Sequence, residues 1–221
     1  MSVRNHLLWI LPAAALSIGA TPDPTPITWL EAPTYADAAA VYPARARAEH
    51  VGGAVELTCT TTLKGHLSAC AELAESPMGY GFLGAAHKLV GRFRADAPHD
   101  TEVRVIIAFA PDMAGPAPGL AANPAWTAVP SASEFQASFP KTENGVNHVR
   151  VVLDCGVAAG GGLQGCAVAS ETPPGQGYGQ GALALAPKFR VGLMTPGGVP
   201  TVGARVQVPI RYELTPDAPH S

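Results

Sequence analysis

The sequence predicts an α+β fold class: two tandem small domains, each a three-stranded antiparallel sheet packed by two helices. Three observations carry this reading. The stretch from Cys59 to Arg94 occurs twice, aligning without a gap with Cys155 to Arg190 at an offset of 96. Roughly a third of the aligned positions are identical, and they are the ones a fold holds: cysteines, turn glycines and periodic apolar residues. In both copies a period-two apolar pattern gives way to helical spacing and then returns to period two. Length alone, 221 residues, allows one domain or two, and the duplication decides for two. The boundaries are residues 29–110 for the first repeat, 111–125 for a Pro/Ala/Gly linker without periodicity, and 126–214 for the second repeat.

Residues 1–20 have the pattern of a signal peptide: one Arg, an apolar run from Leu7 to Ile18, then small residues, with cleavage expected after Ala20. The competing reading is a membrane anchor. A bilayer crossing needs about 20 apolar residues, and this run is shorter and interrupted by Pro12.

The first repeat opens with Trp29, Pro33 and Tyr42-Pro43; the second opens with Trp126, Pro130 and Phe139-Pro140 at the same internal spacing. After Tyr42-Pro43, ARARAEH reads as a short helix with proline in its first turn, where a missing N–H costs little. The second copy has KTENGVNH there, a weaker helix former in which that element is expected to have decayed. Val55, Leu57 and Cys59 then alternate with Ala54, Glu56 and Thr58, and Val151, Leu153 and Cys155 repeat the spacing, which predicts a half-buried strand in each copy. Lys64-Gly65 and Gly160-Gly161 predict tight turns. Second strands follow, from Leu67 to Ala74 and from Leu163 to Ser170.

Phe82, Ala86, Leu89 and Phe93 lie on one helical face, and so do Tyr178, Ala182, Leu185 and Phe189, where Pro187 should end or kink the second copy early. The last strands alternate at Val103, Val105, Ile107 and Phe109, and at Val206, Val208, Ile210 and Tyr212. Pro209 in the latter points to a sheet edge.

The four cysteines form two pairs, each separated by ten residues. A two-residue turn at Lys64-Gly65 would put Cys59 directly opposite Cys70, and Gly160-Gly161 would do the same for Cys155 and Cys166. Opposed strand residues lie within the Cα separation that a disulfide accepts, and an exported chain meets an oxidising environment. Two disulfides are therefore expected, Cys59–Cys70 and Cys155–Cys166. The same register would turn Glu72 to the core face, which a longer turn or a bulge would repair.

Other chemistry is weakly represented. Charged residues are only 14% of the chain, the net charge is −3, and there is no basic run of the kind that nucleic acid requires. His50, His66, His87, His99, His148 and His220 are scattered without metal-ligand spacing. Gly160 to Gly162 lacks the Gly-Lys-Ser/Thr of a phosphate loop. No nucleophile–base–orienter set is visible, so no catalytic residue, metal or small-molecule cofactor is assigned. Glu75 and Glu171 are read as organisers of the loops before Ser-Pro and Thr-Pro, with a catalytic pair across the repeats as the lesser reading.

YPARARAEHVGGAVELTCTTTLKGHLSACAELAES, GFLGAAHKLVGRFR and VRVIIAFA, with FP, VRVVLDC, GYGQGALALAPKFR and VQVPIRYEL in the second copy, resemble the C-terminal domain of TonB-type energy transducers. The resemblance covers most of residues 29–214. It implies a periplasmic location, the alternative being an inner-membrane anchor facing the periplasm. It also implies that the last strand recruits a segment of an outer-membrane receptor, or of another envelope protein, as an added strand. The implied edges are Val103, Val105, Ile107 and Phe109, and Val206, Val208, Ile210 and Tyr212, with Tyr42, Pro43, Phe139 and Pro140 nearby. From Ala20 to Trp29 the chain is too short for the long spacer of a force-transmitting member, so the resemblance implies the binding domain and not the motor linkage. The leading expectation is a non-enzymatic peptide-binding module. The alternatives are an envelope scaffold whose repeats pair with themselves and a periplasmic hydrolase.

Overall fold

The computed structural model describes residues 27–138 and 148–213. The expected signal peptide, Phe139-Pro140 and KTENGVNH up to Asn147 lie outside these residues. Each copy is built on one three-stranded antiparallel sheet. In copy one the strands are β2 (Gly53–Thr61), β3 (Leu67–Ser76) and β5 (Glu102–Phe109), in the order β3-β2-β5. In copy two they are β7 (His148–Val157), β8 (Leu163–Thr172) and β10 (Arg205–Glu213), in the order β10-β7-β8. The chain is α+β with two tandem small domains.

The central strands carry the core, because alternate residues of β2 and β7 point to one face. Val55, Leu57, Val151 and Leu153 are fully buried, as are the cysteines that follow them. The helices α3 (Phe82–Val90) and α5 (Tyr178–Leu185) cover that face. Phe82, Ala86, Leu89 and Phe93 are buried in one copy and Tyr178, Ala182, Leu185 and Phe189 in the other, as the helical spacing predicts. Pro187 ends α5 and converts its last turn to a 3-10 helix over Ala186–Lys188.

Both disulfides form, with Cα separations of 4.0 Å for Cys59–Cys70 and 4.1 Å for Cys155–Cys166. The hairpins that deliver them differ from the expectation. Five residues, 62–66 and 158–162, connect the strands, closed by equivalent bonds from Thr62 N to His66 O and from Ala158 N to Gly162 O, both 2.8 Å. A bulge then sets Ala69 and Cys70 against Cys59, and Gly165 and Cys166 against Cys155. A second bulge falls at Leu73 and Ala169; Glu72 stays opposite Leu57, on the core side of the sheet as expected, and is exposed there because β3 is an edge strand.

Each copy adds to its sheet a short capped helix and a two-stranded ribbon that hydrophobic periodicity does not predict. α1 (Tyr35–Ala40) and α4 (Ala132–Ala137) each start with a capping box, Thr34 with Asp37 and Ser131 with Glu134. β1 (Trp29–Glu31) pairs with β4 (Arg94–Ala95), and β6 (Trp126–Ala128) with β9 (Arg190–Val191). These ribbons set Trp29 edge-on to Phe93 at 4.8 Å and Trp126 to Phe189 at 5.4 Å. The ARARAEH helix is α2 (Ala44–Glu49), with Pro43 at its N-cap.

The linker is packed. Met113 and Ala121 are buried, and Asp112 accepts from the Tyr35 hydroxyl at 2.8 Å and from Leu120 N at 2.9 Å. The two copies touch, Tyr35 N donating to Val202 O at 2.8 Å, and their buried apolar residues form one continuous cluster.

Candidate functional site

The two three-stranded sheets have four edge strands, and they differ. β3 and β8 each carry two bulges, which break the regular ladder an incoming strand would need. β5 and β10 are regular and pair with one neighbour each within their sheets.

In an antiparallel strand both main-chain groups of a residue point the same way, and the direction alternates along the chain. Ala108 N donates away from its own sheet, to Gly198 O at 2.8 Å. By that alternation Glu102, Arg104 and Ile106 also face the open side. Val103, Val105, Ile107 and Phe109 turn their main chain to β2 and their buried side chains to the core. The residues named from sequence therefore mark the strand, while their neighbours present the edge.

β10 follows the same alternation with different residues. Arg205 N donates to Gly119 O and Arg205 O accepts from Ala121 N, at 2.9 and 2.8 Å, so the linker occupies the start of this edge. Val206, Val208, Ile210 and Tyr212 are buried and face inward. Pro209, opposite Val152 in the register, has no N–H to offer.

The open part of β5 runs along a groove of about 870 Å³. One wall comes from copy one, at Trp29, Asp96 and Pro98; the other comes from copy two, at Met194, Pro196 and Gly198. The second wall exists because the connection from β9 to β10 is thirteen residues (192–204), where β4 to β5 needs six (96–101). The sequence signal of that difference is the unequal spacing from Arg94 to Val103 and from Arg190 to Val206.

Tyr42 stands behind the edge. It is buried between Phe82 and Phe109, its hydroxyl donates to Val51 O at 2.7 Å, and burial raises its pKa. Pro43, next in the chain, is the N-cap of α2. Tyr35 is likewise raised, first by burial and then by its bond to Asp112. These phenols latch segments of the fold.

Glu75 and Glu171 each bind their own copy's helix. Glu75 Oε1 accepts from Leu83 N at 3.1 Å and Glu171 Oε1 from Tyr178 N at 3.0 Å, where the N-cap glycines supply no side chain. A carboxylate there satisfies an orphan donor and meets the positive end of the helix dipole. Among the described residues no group of three His, Cys, Asp or Glu could hold a metal ion, and no helix is long and apolar enough to cross a membrane.

No protein-family model matches the chain. The chain is similar to an uncharacterised protein of Caulobacter vibrioides, 36% identical over 63 residues. That match takes in 28% of this chain and 63% of the relative, so the chain spans less than two thirds of the relative's length.

Proposed function

We propose that the protein is an exported, non-enzymatic module that binds an extended segment of another envelope polypeptide by strand addition, in the manner of TonB C-terminal domains. Its place would be the periplasm, in service of TonB-dependent outer-membrane transport. The observation that carries the reading is the unpaired edge of β5 from Glu102 to Ile106, lying along a groove. Main-chain bonds on such an edge supply affinity, and the flanking walls supply selectivity. The two disulfides fit an oxidising compartment.

The test is a titration of the 15N-labelled chain with synthetic peptides copied from extended segments of outer-membrane receptors. Saturable shifts at the Arg104 and Ile106 amides are expected. Their absence at millimolar peptide would overturn the reading. One observation favours the scaffold alternative: Gly198 of copy two already bonds the β5 edge at Ala108. On that reading the edge serves only to hold the copies together, and peptides leave every β5 amide unmoved.

A further inference from the structure

The β5 groove belongs to both copies. We propose that copy two's longer β9–β10 loop builds the far wall and the end-stop of a single composite site, which takes a short apolar extended segment of another polypeptide carrying a basic residue at its Glu102 end. This rests on the strand-addition reading above and says which edge is used and what it selects.

Copy one is the receptive copy because of one substitution between the repeats. Pro209 stands in β10 where Ile106 stands in β5, as the alignment of Val103 with Val206 shows. Ile106 offers an outward N–H, and Pro209 has none. Copy two also spends the outward groups of Arg205 on its linker.

The length of the segment follows from the loop. Gly198 takes the N–H of Ala108, so pairing stops after Ile106. Its φ of +86° and its approach to the edge both require glycine, since a Cβ there would lie 2.5 Å from Ile106 O. From Glu102 to Ile106 the edge admits about five residues, or about 16 Å of strand.

The character of the segment follows from the walls. Trp29, Met194 and Pro196 line the groove, together with Ile106, an exposed apolar residue. Arg104 is neutralised by Glu56 at 3.0 Å. Among the described residues Asp96 and Glu102 have no cationic partner, so the uncompensated charge of the groove is negative and sits at the end away from Gly198.

The experiment uses the full chain and apolar pentapeptides ending in Lys or in Glu, with amide shifts and affinity as readouts. The Lys peptide should bind several-fold tighter, by about three- to tenfold for one partly screened charge pair. Glu102→Lys should invert that preference. Pro196→Asp, on an exposed loop position, should weaken the apolar peptide, and N-methylation of alternate peptide amides should abolish binding without altering the protein. Ile106→Pro, which copies the state of β10, should act like the N-methylation. Shifts at β5 that ignore both peptide charge and Pro196→Asp would overturn the composite site while leaving strand addition standing. Shifts at Gln207 and Arg211 would overturn it by placing the ligand on copy two. No shift at β5 with any peptide would overturn strand addition itself.

Discussion

Ala108 and Gly198 come from different copies, and the hydrogen bond between them, 2.8 Å from amide to carbonyl, closes one end of the open outer edge of β5. Gly198→Ala introduces a side chain at positive φ and against Ile106 O. The expected cost is about 1 to 3 kcal/mol, with faster hydrogen exchange at Ala108 and unchanged exchange at Leu153 in the other sheet. Slowed or unaltered exchange at Ala108 would show that the loop does not hold this edge.

The bulges at the disulfides differ by one residue that matters. Ala69 and Gly165 occupy the same place in the two copies and share a left-handed backbone, φ +48° and +57°. Only glycine takes this conformation without strain. Ala69→Gly should stabilise copy one or leave it unchanged, whereas Gly165→Ala should destabilise copy two by about 1 kcal/mol. A Cβ at Gly165 meets nothing within 4 Å, so the effect isolates the backbone. Chemical denaturation of the two single variants checks that only Gly165→Ala lowers stability.

The elements legible in the sequence were those with strong periodicity. Val55, Leu57 and Cys59, and the face from Phe82 to Phe93, announced their strand and helix because burial selects for spacing. The disulfide partners were readable from a hairpin, although the turn was longer than expected and a bulge absorbed the difference. The six-residue helices α1 and α4 are too short for periodicity to register, and only Thr34-x-x-Asp37 and Ser131-x-x-Glu134 marked them. At the candidate site the buried residues of β5 were visible by alternation. The groove wall was not, since Met194 to Gly198 reach the edge only through tertiary docking of one copy on the other.

The Glu75 and Glu171 caps are independent, Glu75 taking the second amide of α3 and Glu171 the first of α5. Alanine at either should cost about 0.5 to 2 kcal/mol, the usual range for losing a helix N-terminal partner. The double variant should lose the sum, because the carboxylates serve different helices. Thermal or urea unfolding of the four forms measures this. A marked departure from additivity would instead join the two carboxylates in one unit, as the hydrolase alternative requires.

Glu134 supplies a pH test with a defined sign. Its Oε1 meets Lys188 Nζ at 2.7 Å, and its Oε2 accepts from Ser131 N at 2.8 Å and Ser131 Oγ at 2.9 Å. These contacts, that of Lys188 foremost, hold the carboxyl at about 2, below its ordinary value of 4.5. Between those values the unfolded chain binds a proton that the folded one does not, so folding loses stability as pH falls. The contribution is present above about pH 4.5 and gone once the pH has passed below 2. Because the pair is on the surface, salt screens it. Wild-type Tm should therefore fall more steeply than that of Glu134→Gln across this window, with Lys188→Met intermediate because the Ser131 bonds remain. High salt should draw the three curves together. Parallel curves at low salt would mean that this ion pair contributes nothing to joining α4 to the turn after α5.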